Sequence, residues 1–258
     1  MAEQPRVSVK DASGCIAAPQ REREPQIAAK LEIQGLSVAA RGRLLIRGVN
    51  LRIPPRSVYA VTGPSGAGKT TLLKCLNRLI ELTPELSVTG DILLDGRSIY
   101  AREVDADELR AKVGMLFQQP VVFPKSVYAN VVFGVRHLGR VSRRDLSTVA
   151  ERALREAALW NEVKDRLHEP AAKLSVGQQQ RLCLARTLAS EPEVVLMDEP
   201  TSALDPRSTE AIEELILRLK ERRTIILVTH DIPQAERVAD HVACMTIVDG
   251  AGELGSEN

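Results

Sequence analysis

The strongest constraint on the fold is one short passage. The apolar run Val58-Tyr59-Ala60-Val61-Thr62 leads directly into Gly63-Pro64-Ser65-Gly66-Ala67-Gly68-Lys69-Thr70. Behind it, from Lys69 to Ile80, Leu72, Leu73, Leu76 and Leu79 recur at helical spacing. A fully apolar strand, a glycine-rich turn and an amphipathic helix in direct succession form one βα unit of a parallel sheet. The loop fits G-x-x-x-x-G-K-[ST], a match expected by chance about once in a hundred chains of this length. Its glycines let the backbone curl so that successive N–H groups point inward, beside the positive end of a helix. Such a cradle, Gly63 to Thr71, holds phosphate oxygens. Lys69 is placed to reach the β- and γ-phosphates, and the Thr70 hydroxyl to ligate Mg²⁺.

Two later apolar runs, 194–197 and 225–228, read as further buried strands of the same sheet. The first delivers Asp198 and Glu199 at its C-terminal end, where ligands of open α/β sheets bind. A strand ending in two carboxylates is by itself as often a solvent-capped terminus as a site. Downstream of a phosphate loop it reads as chemistry. Asp198 is the candidate to hold the magnesium through water, and Glu199 to orient or deprotonate an attacking water. Asp205-Pro206 reads as an N-cap and first-turn proline, followed by Ile212, Leu215, Ile216 and Leu219 on one helix face.

Ahead of the loop, Leu31, Ile33, Leu36 and Val38, then Val49, Leu51 and Ile53, predict short strands broken at Gly42 and Pro54-Pro55. Residues 1–29 are polar, proline-containing and aperiodic, and read as a flexible tail. A single α/β domain is expected over 30–250, with a helix-rich lobe inserted at about 111–180 and a short C-terminal tail at 251–258. The lobe includes a helical stretch over 146–160. Apolar residues make up 44% and charged residues 27%, so a sizeable core is available and disorder is excluded. Thirty-five basic against 34 acidic residues, with only 3% aromatics, argue against a nucleic-acid partner. The apolar runs are strand-sized rather than membrane-spanning. The scattered cysteines Cys15, Cys75, Cys183 and Cys244 read as reduced thiols, not a disulfide frame or zinc site.

Leu174-Ser175-Val176-Gly177-Gln178-Gln179-Gln180-Arg181 opens another amphipathic helix, with Ser175 as its N-cap. At this point the motifs assemble. A phosphate loop, Gln118 after an apolar strand over 113–117, the Leu-Ser-x-Gly-Gln passage, Asp198-Glu199, Ser202-Ala203-Leu204-Asp205 and Thr229-His230-Asp231 occur in the order of an ABC-type ATPase. The sequence resembles that family over about 31–248. The resemblance implies an α/β fold: a P-loop NTPase core with a mixed, largely parallel sheet, an N-terminal antiparallel β subdomain and an inserted α-helical subdomain. It also implies ATP and Mg²⁺ as cofactors, with Gln118 joining Thr70 and Asp198 at the metal. Catalysis falls to Glu199, His230 and Gln118. Gly63, Pro64, Ser65, Gly66, Ala67, Gly68, Lys69, Thr70 and Thr71 bind the nucleotide in one subunit. Ser175, Gly177, Gln178 and Asp205 meet it across a head-to-tail dimer of two identical copies.

Within the family, the stretches 73–79, 113–120, 123–128, 158–167 and 178–183 are most similar to phosphate-import ATP-binding proteins. That similarity implies a peripheral protein on the cytoplasmic face of the cell membrane, meeting its permease near Gln118 to Tyr128. An ATPase for another solute and a regulatory nucleotide switch are the alternatives. The passage Val38-Ala39-Ala40-Arg41-Gly42 lacks the aromatic that the family usually places ahead of the loop for adenine, leaving Arg41 or Arg43 as a guanidinium stack. Val176 stands where the family more often has glycine, which matters only if the backbone there is left-handed.

Overall fold

The computed structural model describes residues 28–139 and 141–255; residues 1–27 of the expected tail, and Cys15 with them, lie outside the described residues. The chain begins with β1 (Leu31–Ala40) and β2 (Arg43–Ile53), antiparallel partners joined across Arg41 and Gly42, whose φ angles of 49° and 81° make the tight reversal. Then come β3 (Val58–Thr62), α1 (Lys69–Leu76), β4 (Leu86–Leu94), β5 (Arg97–Ser98), α2 (Ala106–Lys112) and β6 (Val113–Leu116). The helical lobe holds α3 (Val127–Val131), α4 (Phe133–His137), α5 (Leu146–Glu156), α6 (Trp160–Val163) and α7 (Val176–Leu188). The core resumes with β7 (Val194–Asp198), α8 (Pro206–Leu219), β8 (Thr224–Val228), α9 (Ile232–Val238), β9 (His241–Val248) and β10 (Ala251–Leu254).

All these strands form one 10-stranded sheet in the order β5-β4-β1-β2-β10-β9-β3-β8-β7-β6. From β9 to β6 every neighbouring pair is parallel, and β5 to β2 are antiparallel. β3, β7 and β8 are buried at every residue, the pattern expected of strands covered by helices on both faces. On one face Val195, Met197, Ile225 and Leu227 meet Leu184, Leu188, Leu215 and Ile216. On the other, Tyr59, Val61, Leu196 and Ile226 meet Leu72, Leu73 and Leu76 of α1. Truncating one of these fully buried leucines to alanine costs about 2–5 kcal/mol.

Four boundaries differ from the sequence expectation. The stretch at 251–258 is not a tail throughout, because Ala251–Leu254 is the strand that joins the two halves of the sheet. It pairs antiparallel with β9 and, through Gly252 opposite Ile46, parallel with β2. The inserted lobe does not begin at 111, since β6 lies beside β7 in the sheet and the lobe's first helix starts at Val127. The helix expected to Ile80 stops at Leu76, where Arg78 turns left-handed (φ 58°) and its guanidinium donates to the carbonyls of Ile99 and Val104. In the same way, left-handed Ala158 (φ 51°) divides the stretch 146–160 into α5 and α6.

Candidate active site

The site grows from the C-terminal ends of the parallel strands. β3 runs out into the phosphate loop, and α1 starts at Lys69 behind Gly68, which caps the helix with no side chain of its own (φ 88°). The first-turn N–H groups of α1 therefore have no side-chain acceptor there and face the loop's concavity. Two of the loop glycines are fixed by crowding as well as by backbone. A Cβ on Gly63 (φ 138°) would lie 2.2 Å from the carbonyl oxygen of Met245, and one on Gly68 would lie 2.9 Å from Ile46 Cγ1.

Lys69 is buried and donates to the carbonyls of Gly63 (2.7 Å) and Pro64 (3.0 Å). Among the described residues no carboxylate pairs with it, so a buried cation hangs over an anion-shaped cradle, available to phosphate oxygens. Thr70 donates its hydroxyl to Asp198 Oδ1 at 3.0 Å. Asp198 is only 4% exposed. Burial pushes its carboxyl above the usual range, and neighbouring Glu199 adds to this, while the Thr70 hydrogen bond and Lys74 and Lys69 pull back. A hydroxyl and a buried carboxylate side by side are hard oxygen donors suited to Mg²⁺.

Next to Asp198, Glu199 leaves the strand with φ 42°, an unusual backbone for a non-glycine residue, held by its N–H donating to Val228 O at 2.8 Å. That turn throws the carboxylate between two neighbouring strand ends. Its Oε2 lies 3.0 Å from His230 Nδ1, beyond β8, and 3.2 Å from Gln118 Nε2, beyond β6. Gln118 Nε2 also donates to Ser202 Oγ at 3.2 Å. Gln118 Oε1 accepts no hydrogen bond among the described residues. Residues 118, 199, 202 and 230, far apart in sequence, thus form one polar cluster next to the phosphate loop.

The opening turn of α7 is a different place. Ser175 and Gln178 form a capping box: Ser175 Oγ accepts from the Gln178 N–H (3.3 Å) and Ser175 N–H donates to Gln178 Oε1 (3.0 Å). Gln178 Nε2 and Arg181 both bond Glu162, at 2.7 and 2.6 Å. Against the burial that raises it, these partners hold the Glu162 carboxyl below its ordinary range. A Cβ on Gly177 would lie 2.6 Å from Ser208 Oγ. Ser208 in turn donates to Asp205, whose carboxylate caps α8 and sits below its ordinary range through these hydrogen bonds. Val176 is 49% exposed in the first helical turn and has no left-handed backbone, so the substitution strains nothing.

Within one chain, then, Gly63 to Thr71, Gln118, Asp198, Glu199 and His230 come together. Ser175, Gly177, Gln178 and Asp205 do not join them: the side chains of Ser175, Gln178 and Asp205 bond each other's turns, Glu162, Arg207 and Ser208. Sequence reasoning missed Ser202 as the holder of Gln118, Glu162 as the anchor of the α7 opening, and buried Gln180, whose Nε2 bonds Phe117 O at 3.1 Å. A Gln or Glu carries no sequence signal for a partner across tens of residues.

A phosphate loop between a buried strand and a helix, with an acidic strand end beside it, defines a nucleotide-hydrolysing P-loop protein. The ABC transporter family matches residues 46–202. A phosphate import ATP-binding protein, PstB, of Shewanella denitrificans is 54% identical over 215 residues, 83% of this chain and 79% of the relative. Its counterpart in Colwellia psychrerythraea is 52% identical over 219 residues, 85% of this chain and 78% of the relative. The chain belongs to the ABC transporter family and is one of its ATP-binding, ATP-hydrolysing members.

Among solved structures, cbiO1 of Clostridium perfringens, part of the ABC transporter complex cbiONQ, aligns with a TM-score of 0.75 and 30% identity over 87% of each chain. A bacterial Atm1-family ABC exporter with ATP bound aligns with a TM-score of 0.72 and 26% identity, covering 93% of this chain and 41% of the exporter's. No helix among the described residues is long and apolar enough to cross a membrane.

Proposed function

We propose that this chain is the energy-coupling ATPase subunit of an importer of inorganic phosphate. Two identical copies work head to tail under a membrane permease, on the cytoplasmic face of the cell membrane. The observation that carries the motor role is the convergence of Gln118, Glu199 and His230 beside Lys69, Thr70 and Asp198. The cargo rests on the relatives at 54% and 52% identity, which are phosphate import proteins.

In this reading the loop N–H groups from Gly63 to Thr71 and the Lys69 ammonium hold the triphosphate. Thr70, Asp198 and Gln118 would hold Mg²⁺, which neutralises charge on the β- and γ-phosphates. Glu199 accepts a proton from, or orients, the attacking water in line with the γ-phosphate. His230, now against Glu199, turns its imidazole to the γ-phosphate and so links base and substrate. Ser175 hydroxyl, Gly177 N–H and Gln178 arrive from the second copy, with the positive end of α7 aimed at the same phosphate. Their separation from the loop within one chain favours this two-copy arrangement. ATP then joins the copies, and hydrolysis releases them.

The permease contact near Gln118 to Tyr128 gains support from the surface. Phe117 and Val121 are exposed by 40% and 54%, and a groove of about 670 Å³ opens between Lys125, Tyr128, Phe133, Arg136 and His168. A groove that sets aromatic side chains among basic ones suits a short helix of a membrane partner.

Labelled phosphate uptake in cells whose native chain is replaced by Glu199→Gln tests the reading, with sulfate uptake as control. Phosphate uptake is expected to fall and sulfate uptake to persist. Unchanged phosphate uptake, with the variant expressed and no second phosphate importer operating, would remove the cargo and leave the ATPase.

A further inference from the structure

Glu199 and His230 lie just beyond two neighbouring parallel strands, β7 and β8, and the chain leaves each strand along its own path. From Glu199 it runs through two tight turns before Asp205 caps α8. In them the Ser202 N–H donates to Glu199 O (3.2 Å) and the Leu204 N–H to Thr201 O (3.0 Å). From His230 it enters α9, whose cap Asp231 accepts from the Gln234 N–H at 3.0 Å. The contact of Glu199 with His230 joins the two paths at the site itself.

A second tie joins the same two paths. Gln234, on the first turn of α9, is buried at 0% exposure. Its Nε2 donates to Thr201 Oγ1 at 2.7 Å and to Glu213 Oε1 at 3.3 Å. Glu213, on α8, is held in turn by both arms of the Arg237 guanidinium, at 2.9 and 2.7 Å. An ionised carboxylate only accepts, so Glu213 fixes the amide with its NH₂ toward Thr201. The Oε1 on the other side is buried and has no partner.

That orphan oxygen shows what the residue is for. A buried carbonyl without a partner costs about as much as a hydrogen bond made elsewhere returns. An apolar side chain of the same shape would fill the space and leave Glu213 to Arg237. What the amide alone supplies is the bond to Thr201, one residue from Ser202 and two from Glu199. Glu199 stands at φ 42°, a backbone that its surroundings must hold. Val228 holds it at the strand end, and Thr201 is the next point at which the turn is fastened.

We infer that Gln234 is a positioning residue for ATP hydrolysis. By gripping Thr201 it fixes the turn that carries Glu199 and Ser202, and so sets the aim of the carboxylate. Buried as it is, it meets no nucleotide and acts through Thr201. The inference rests on Glu199 being the base, as proposed above.

The test is steady-state ATP hydrolysis by the full chain with Mg²⁺ present. Gln234→Leu is expected to lower kcat about fivefold, the scale of one hydrogen bond of ordinary strength, with KM within about twofold because the phosphate loop is untouched. Thr201→Val should reproduce that loss. Thr201→Ser, which keeps the acceptor oxygen, should turn over like the parent. Gln234→Leu combined with Thr201→Val should fall no further than either alone, since both remove the same bond. Packing defects would instead multiply the two losses and treat serine and valine alike. A Gln234→Leu variant at the parent's kcat, losses that multiply, or Thr201→Ser as slow as Thr201→Val overturns the inference. Thr201 is half-buried, so its two variants decide the outcome even where Gln234→Leu does not fold. Glu199→Gln in the same assay separates the two levels of failure. Parent-like turnover there removes the base and this inference with it; a slow Glu199→Gln beside a parent-like Gln234→Leu removes this inference alone.

Discussion

The C-terminal end of β3 and the opening turn of α7 are both anion-shaped helix starts, and they are finished differently. At β3 the chain supplies everything around the loop: a buried lysine, a hydroxyl paired with a buried carboxylate, and a second carboxylate clasped by His230 and Gln118. At α7 the side chains are spent on holding the turn itself, through the capping box, Glu162 and Ser208, and Ser175 faces outward. The first region is a site lacking one wall; the second is a wall lacking a site. The difference teaches that a single copy has each half of the machinery, in the wrong place for the other.

The largest effect should come from breaking the first region. Glu199→Gln is expected to lower ATP hydrolysis at least about 100-fold, the scale of a lost general base, while ATP binding survives and size-exclusion chromatography with ATP shows a trapped pair. Wild-type turnover would assign the base elsewhere. Breaking the second region should be milder but cleaner. Gly177→Val drives a side chain into Ser208 and onto the proposed contact face. Hydrolysis should fall about tenfold or more, in line with the loss of one well-placed donor, with nucleotide binding to the isolated copy unchanged. If binding falls instead, the two regions act within one chain and the comparison collapses.

Gly252→Ala probes what supports the first region from behind. Its Cβ would stand 2.0 Å from Ala67 O, so β10 must shift or the loop must. A loss of about 1–3 kcal/mol in denaturant unfolding is expected, the usual cost of overpacking. Nucleotide affinity should fall as well. The smallest effect is reserved for Ser202→Ala, which removes one acceptor from Gln118 and leaves Glu199 as the other. A single hydrogen bond of about 1 kcal/mol corresponds to a few-fold drop in kcat. An effect as large as that of Glu199→Gln would promote Ser202 from a positioning residue to a direct one.

Much of this was readable before any coordinates, and for local reasons. Val58 to Thr62 is apolar at every position, so it had to be a strand covered on both faces, and the loop behind it announces itself by glycine and lysine spacing. Asp205-Pro206 and Ser175 were legible as caps because capping is a matter of a few adjacent residues. The misplaced boundaries share one cause. The short run at Ala251–Leu254 looks like a tail until β9 and β2 come to flank it, and Val113–Leu116 looks like part of the lobe until β7 lies beside it. Strand pairing over long sequence separations leaves almost no trace in a short run of residues.

The sequence by itself determined the phosphate loop, the acidic strand end, the helix caps and the order of motifs, because each depends on neighbours a few residues away. Only the tertiary structure decided that Gln118, Ser202 and His230 meet at Glu199, and that β10 braces the loop through Gly252. Those facts depend on which strands lie side by side and on which face of the sheet a residue falls. A shift of one residue in register reverses that face while leaving the sequence pattern almost unaltered.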